Sequence, residues 1–137
     1  MKAIEIRKYG DINSLEVTNI AMPELKNDEV LIKNVIAGVN FIDIYMRKGD
    51  PMIQVPLPFI PGVEGAGFVE KMGPDVKDLL PGNRVAYIGS LGSYAEYTIA
   101  SLSKTIALPD YIDFVAQGRQ NVDPMRIDVV FGNELYE

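Results

Sequence analysis

Short apolar or alternating runs recur along this chain at 2–6, 15–20, 29–38, 65–72, 84–88, 93–100 and 104–108, with glycine, proline, asparagine or aspartate between them. Runs of this length separated by turn residues predict a β-barrel or β-sandwich. The punctuation has a mechanism. Asn27-Asp28, Met72-Gly73-Pro74-Asp75 and Pro81-Gly82-Asn83 supply either a left-handed residue or a preset proline φ, and each is expected to join two strands.

One segment breaks the β pattern. Residues 40–48 are rich in helix formers and run into Gly49-Asp50-Pro51, a helix stop. Asn40 is a natural N-cap, and Asp43 stands three residues on, near the positive end of the helix. A single short helix is therefore expected between strands. Residues 51–61 hold Pro51, Pro56, Pro58 and Pro61, which favours an extended covering loop over any regular element. The composition changes after about Asp113, where a polar stretch, 117–121, precedes 125–131, a run with the character of one more strand.

With 137 residues the chain suits one domain that buries roughly two-thirds of its unfolded surface. The sequence contains no cysteine and no histidine. Disulfides, thiolate or imidazole metal sites, Ser-His-Asp or Cys-His triads and histidine acid–base chemistry are thereby excluded within it. Any chemistry must use carboxylates, tyrosine, lysine, hydroxyls or a bound cofactor. The formal charge of −6 argues against nucleic acid as the main partner. No apolar run approaches the roughly 18 residues of a membrane span, and the N-terminus has no signal-peptide apolar core, so a cytoplasmic location is expected.

The run Gly62-Val63-Glu64-Gly65-Ala66-Gly67 invites a phosphate-loop reading, but it matches neither glycine-rich nucleotide fingerprint and leads into a strand-like stretch. Without a helix N-terminus it offers no amide cradle for a pyrophosphate. Its glycines are better explained by close backbone approach or a bend in the sheet. Glu64 is acidic in apolar surroundings, so burial would demand a partner, for which Arg84 and Arg47 are candidates. On the helix, Asn40, Asp43 and Arg47 share a polar stripe while Phe41 and Tyr45 form a second face. Spacing leaves two readings open: Asn40 and Tyr45 at the wall of a cleft, or Asn40 as a cap, Asp43 as a dipole partner and Tyr45 as core. In Gly92-Ser93-Tyr94-Ala95-Glu96-Tyr97 the alternation suits an edge or barrel strand with packing aromatics.

Taken together, Met1-Lys-Ala-Ile, the segment from Gly38 to Gly49, Pro61-Gly62-Val63-Glu64-Gly65-Ala66-Gly67, Pro81-Gly-Asn-Arg84-Val85, Gly92-Ser-Tyr94-Ala-Glu96-Tyr97 and Leu108-Pro109 resemble the N-terminal region of NADPH-dependent quinone oxidoreductases, the zeta-crystallin-like, zinc-free branch of the medium-chain dehydrogenase/reductase superfamily. The resemblance covers residues 1–114, and the order and spacing of the blocks make it specific. It implies a mainly β, GroES-like, partly open β-barrel with one short helix around 40–48, followed by a tail, 115–137, without an assigned place. In zinc-dependent relatives a cysteine opens the helix and a Gly-His-Glu block follows. Asn40 and Gly62-Val63-Glu64 stand in those places here, so no metal site is expected.

The resemblance further implies hydride transfer from NADPH to a quinone or enone acceptor, with Asn40, Asp43 and Tyr45 lining the nicotinamide and substrate cleft. It assigns no catalytic proton donor, which leaves orientation of hydride donor and acceptor as the protein's part. Family members run to about twice this length and include a Rossmann domain. No dinucleotide fingerprint occurs in the 137 residues, and 127–131 only faintly resembles a late Rossmann strand. The expectation is a substrate-side domain without its nucleotide-binding half, binding NADPH weakly and inactive in isolation. The alternative is a non-catalytic barrel serving as a binding or self-association module through surface that a neighbouring domain would cover.

Overall fold

The computed structural model describes residues 1–114 and the backbone of 127–130. In chain order the strands are β1 (Lys2–Ile6), β2 (Leu15–Asn19), β3 (Glu29–Val39), β4 (Glu64–Met72), β5 (Arg84–Ile88), β6 (Tyr97–Ser101), β7 (Thr105–Ala107) and β8 (Ile127–Val130), with one α-helix, α1 (Phe41–Lys48), between β3 and β4. β1 and β2 pair as an antiparallel hairpin. The others form one antiparallel sheet in the order β6-β3-β4-β5-β7, with β8 also on β3. The expected GroES-like, partly open β architecture is what forms.

β3 is the spine of the sheet. β4 lies along one side of it, with register shifts at Leu31/Ile32 and Asn34/Ile36 that bend the strand. On its other side β6 pairs with Glu29–Lys33 and β8 with Ile36–Val39. The bend is possible because β4 is glycine-rich at the crossing: a Cβ on Gly67 would stand 1.9 Å from the Lys33 carbonyl oxygen. The glycine run is thus a close-approach device inside a strand, as its lack of a following helix predicts. Under the sheet Val30, Ile32, Val69, Val85 and Tyr87 form the main core.

Three expectations need adjustment. The two later turns lie in one connection, between β4 and β5, whose residues Val76 and Leu79 are buried in the main core. Residues 93–96 are not part of a regular strand. They touch β1 through a single bridge, Ala3 to Ala95, and the Tyr94 N–H that would extend it donates to the Pro61 carbonyl instead, while the carbonyls of Ser93 and Ala95 accept from the Asn34 side chain. Finally, β8 pairs antiparallel with β3 as part of the barrel sheet, which sets it apart from the parallel arrangement of a Rossmann strand.

The helix follows its sequence signals closely. It starts after Asn40 and stops at Gly49, which adopts a left-handed conformation with φ 73°. The proline-rich loop covers a second core made by Ile6, Met46 and Phe59, with Ile53 and Val55 packed on it. Tyr9 Oη donates to the Val55 carbonyl at 2.6 Å and pins the loop there. No described helix is long and apolar enough to cross a membrane.

Candidate functional site

Where β3 ends, Asn40 remains extended (φ −128°, ψ 161°) and opens α1. Asp43 Oδ2 accepts the Asn40 N–H at 2.8 Å, the carboxylate half of a capping box. The Asp43 N–H bonds the Asn40 backbone carbonyl at 3.1 Å. Across the gap to β4, Asn40 Nδ2 donates to Glu64 Oε1 at 3.1 Å. Glu64 is buried, as its apolar neighbours suggested. This amide is one donor to it, whereas Arg47 donates to the Gly10 carbonyl and Arg84 to the carbonyls of Pro109 and Asp110. Both arginines are committed to backbone carbonyls instead.

Tyr94 adds the fourth member, donating from Oη to Asp43 Oδ2 at 3.0 Å. Asp43 is only 6% exposed, and its Oδ1 makes no hydrogen bond. Burial pushes its carboxyl above the ordinary range, the Asn40 N–H and Tyr94 hydroxyl pull it back, the Gly62 amide helps without completing a bond, and the nearby Glu64 charge pushes it up again. The balance is upward.

Tyr94 reaches Asp43 because of Gly62. That residue has φ 87°, and a Cβ there would stand 2.1 Å from Ser93 Oγ and 2.5 Å from the Tyr94 ring. The Gly92 N–H and Tyr94 N–H close onto the carbonyls of Gly62 and Pro61 at 2.8 and 3.1 Å. Behind this loop lies a buried polar network. Asn34 Nδ2 donates to the Ala95 carbonyl and to Thr98 Oγ1, both at 2.7 Å, while Tyr87 Oη donates to Asn34 Oδ1 at 2.8 Å. Burial raises the Tyr87 phenol above its ordinary value, so it stays a donor.

The structure therefore brings Asn40 and Asp43 together and places Tyr45 apart from them. Tyr45 is 46% exposed and Phe41 52% exposed, four residues apart on the solvent side of α1, so Tyr45 is not core. Ile88, opposite Glu64 on the adjoining strand, and Leu91 are also exposed. Tyr94 and Asn34 were missed as site residues. In sequence Tyr94 is one of two alternating aromatics, and the only pointer to it was the need of a buried carboxylate for donors. Among the described residues no cluster of three or more His, Cys, Asp or Glu side chains suits a metal ion.

Residues 26–110 match the model of the alcohol dehydrogenase GroES-like domain. The chain is 37% identical over 116 residues to the quinone oxidoreductase of Sus scrofa, an alignment covering 83% of this chain and 35% of that protein. It is 42% identical over 126 residues to the chloroplastic NADPH-dependent alkenal/one oxidoreductase of Arabidopsis thaliana, covering 83% of this chain and 32% of that one. Its fold is similar to the crystal structure of Escherichia coli quinone oxidoreductase complexed with NADPH, with a TM-score of 0.80 and 34% identity over 86% of this chain and 36% of the other. The chain spans about a third of the length of these relatives. With the fold, the block order and the matched region in agreement, the chain belongs to the alcohol dehydrogenase GroES-like domain family.

Proposed function

We propose that this chain is the substrate-side domain of an NADPH-dependent quinone oxidoreductase, acting in the cytoplasm on a quinone or enone. One observation carries the reading: the hydrogen-bonded series Tyr94–Asp43–Asn40–Glu64 fixes the start of α1, the same helix that presents the exposed rings of Phe41 and Tyr45. The names of its relatives, quinone oxidoreductase and alkenal/one oxidoreductase, support the same chemistry.

The residues present suit one end of the cofactor. A dihydronicotinamide is a flat ring, and Phe41 and Tyr45 provide aromatic surface to meet it, with the Asn40 amide beside them. In this reading Asn40 and Tyr45 face the ring, and Asp43 belongs to the same cofactor-binding group by holding the Asn40 backbone, since it is too buried to offer much contact of its own. The diphosphate is not provided for by the described residues: α1 opens from Val39-Asn40, without a glycine-rich turn. Tight NADPH binding and turnover then require a nucleotide-binding domain beside this one. When bound, NADPH supplies the hydride. The chain's part is to orient the acceptor and exclude water. Because the sequence has no cysteine or histidine, the reaction proceeds without zinc held by this domain.

NADPH oxidation with 9,10-phenanthrenequinone tests the reading. Turnover by a longer product carrying a nucleotide-binding domain, and none by these 137 residues, is expected. Absence of turnover in both sinks the quinone assignment. A second reading, self-association, is favoured by the exposure of Phe41, Tyr45, Ile88 and Leu91. Light scattering over a dilution series checks it, and a monomer at every concentration counts against it.

A further inference from the structure

The Asn40 side chain has one chemically permitted orientation. Its two amide ends look alike in shape, but their surroundings differ. One end lies against a Glu64 carboxylate oxygen, which only accepts, so the NH2 must face it. Reversing the amide would set its oxygen against the carboxylate, a repulsive contact. Glu64 therefore holds one N–H of Nδ2 at 3.1 Å and fixes the plane of the amide, and the second N–H of Nδ2 remains as a donor with no rotational freedom.

Glu64 itself is anchored. It begins β4, is paired in register with Ile88 of β5 and is buried. The helix start on the other side is held by Asp43 and Tyr94. Asn40 is thus tied on one side to the sheet through Glu64 and on the other to the helix cap through Asp43.

Resting on the reading of the previous subsection, we propose that Glu64 is a positioning residue and that the N–H it leaves on Asn40 is the hydrogen-bond donor to the acceptor's carbonyl oxygen. In the transfer, the C–H bond at the hydride donor breaks with its electron pair, a C–H bond forms on the quinone or on the β-carbon of the enone, and negative charge collects on that oxygen. A proton from water then neutralises it. A preplaced donor stabilises the charge as it develops and needs no reorganisation at that moment. The role explains why an acidic residue stands within a glycine-rich strand: its carboxylate orients a neutral amide next to a forming anion while one hydrogen-bonding step removed from it.

The test is NMR on the 137-residue chain, following the two Asn40 side-chain NH2 protons. Two well-separated resonances are expected, the one bonded to Glu64 exchanging slowly with water. Glu64→Gln, whose side-chain carbonyl still accepts, should keep the pair separated. Glu64→Leu, an apolar substitute of similar size suited to a buried site, should collapse it. Titration with 2-cyclohexen-1-one or duroquinone, with and without NADPH, should shift the second proton, and Glu64→Leu should weaken that response by roughly three- to tenfold, as expected for loss of one positioned hydrogen bond. Unchanged Asn40 resonances in Glu64→Leu would overturn the proposal. Titration shifts at Phe41 and Tyr45 with none at the Asn40 amide would overturn it while leaving the site reading intact. No shift at any of the three residues would overturn both together.

Discussion

Tyr94 and Asp43 lie 51 residues apart in the chain, yet the tyrosine hydroxyl donates to the aspartate Oδ2 at 3.0 Å in the protein interior. That bond joins the loop after β5 to the first turn of α1, and the capping bond at Asn40 shares the same oxygen.

Removing the hydroxyl in Tyr94→Phe leaves Asp43 buried with one donor fewer. Unfolding by urea at pH 7 should show a loss of about 1.5–3 kcal/mol, the range for a hydrogen bond to a charged group. A loss below the measurement error would mean that the Asn40 N–H alone satisfies the carboxylate.

The pH dependence follows from the direction of the Asp43 shift. Its folded value lies above the ordinary 3.8, so between these two values the native state binds more protons than the unfolded chain. Stability contributed by this group is greatest below 3.8, falls as pH rises through the raised folded value, and is flat above it. Asp43→Asn should remove that slope, and the difference between wild-type and variant denaturation curves from about pH 3.5 to 7 isolates it. A difference that grows more favourable to wild type as pH rises would show that the carboxyl is depressed instead.

Two glycines separate steric demand from backbone strain. Gly67→Ala drives a methyl into the Lys33 carbonyl at 1.9 Å, while Gly82 has φ 88° and nothing within 4 Å of the place its methyl would take. Gly67→Ala is expected to cost about 3 kcal/mol or more, and Gly82→Ala about 1–2 kcal/mol from the left-handed conformation alone. Equal costs in chemical denaturation would contradict the tight β3–β4 crossing.

Arg84 ties the segment after β7 to the barrel, donating to the Pro109 and Asp110 carbonyls at 3.1 and 2.8 Å and lying 4.3 Å from the Phe114 ring centroid. Lysine cannot reproduce this fork or the planar stacking. Arg84→Lys should speed hydrogen exchange of the amides of 110–114 without altering that of β3. Uniform acceleration through the sheet would instead mark global destabilisation.

Much of this protein was legible in its sequence because the relevant signals are local. Alternation and turn residues set the strands to within a few positions, Asn40 and Gly49 bounded the helix, and the missing cysteine and histidine removed whole classes of chemistry before the fold was considered. The block order was sufficient to indicate the family. Partners across the fold were not legible. Glu64 announced that it needed a donor, but whether Arg47, Arg84 or Asn40 supplied it depended on which strand lay opposite. Tyr94 resembled any packing aromatic until Gly62 let it fold over toward Asp43. Local propensity acts over three or four residues, whereas a buried hydrogen bond is chosen by whichever donor the sheet register and chain crossings bring within about 3 Å, and only the tertiary structure makes that choice.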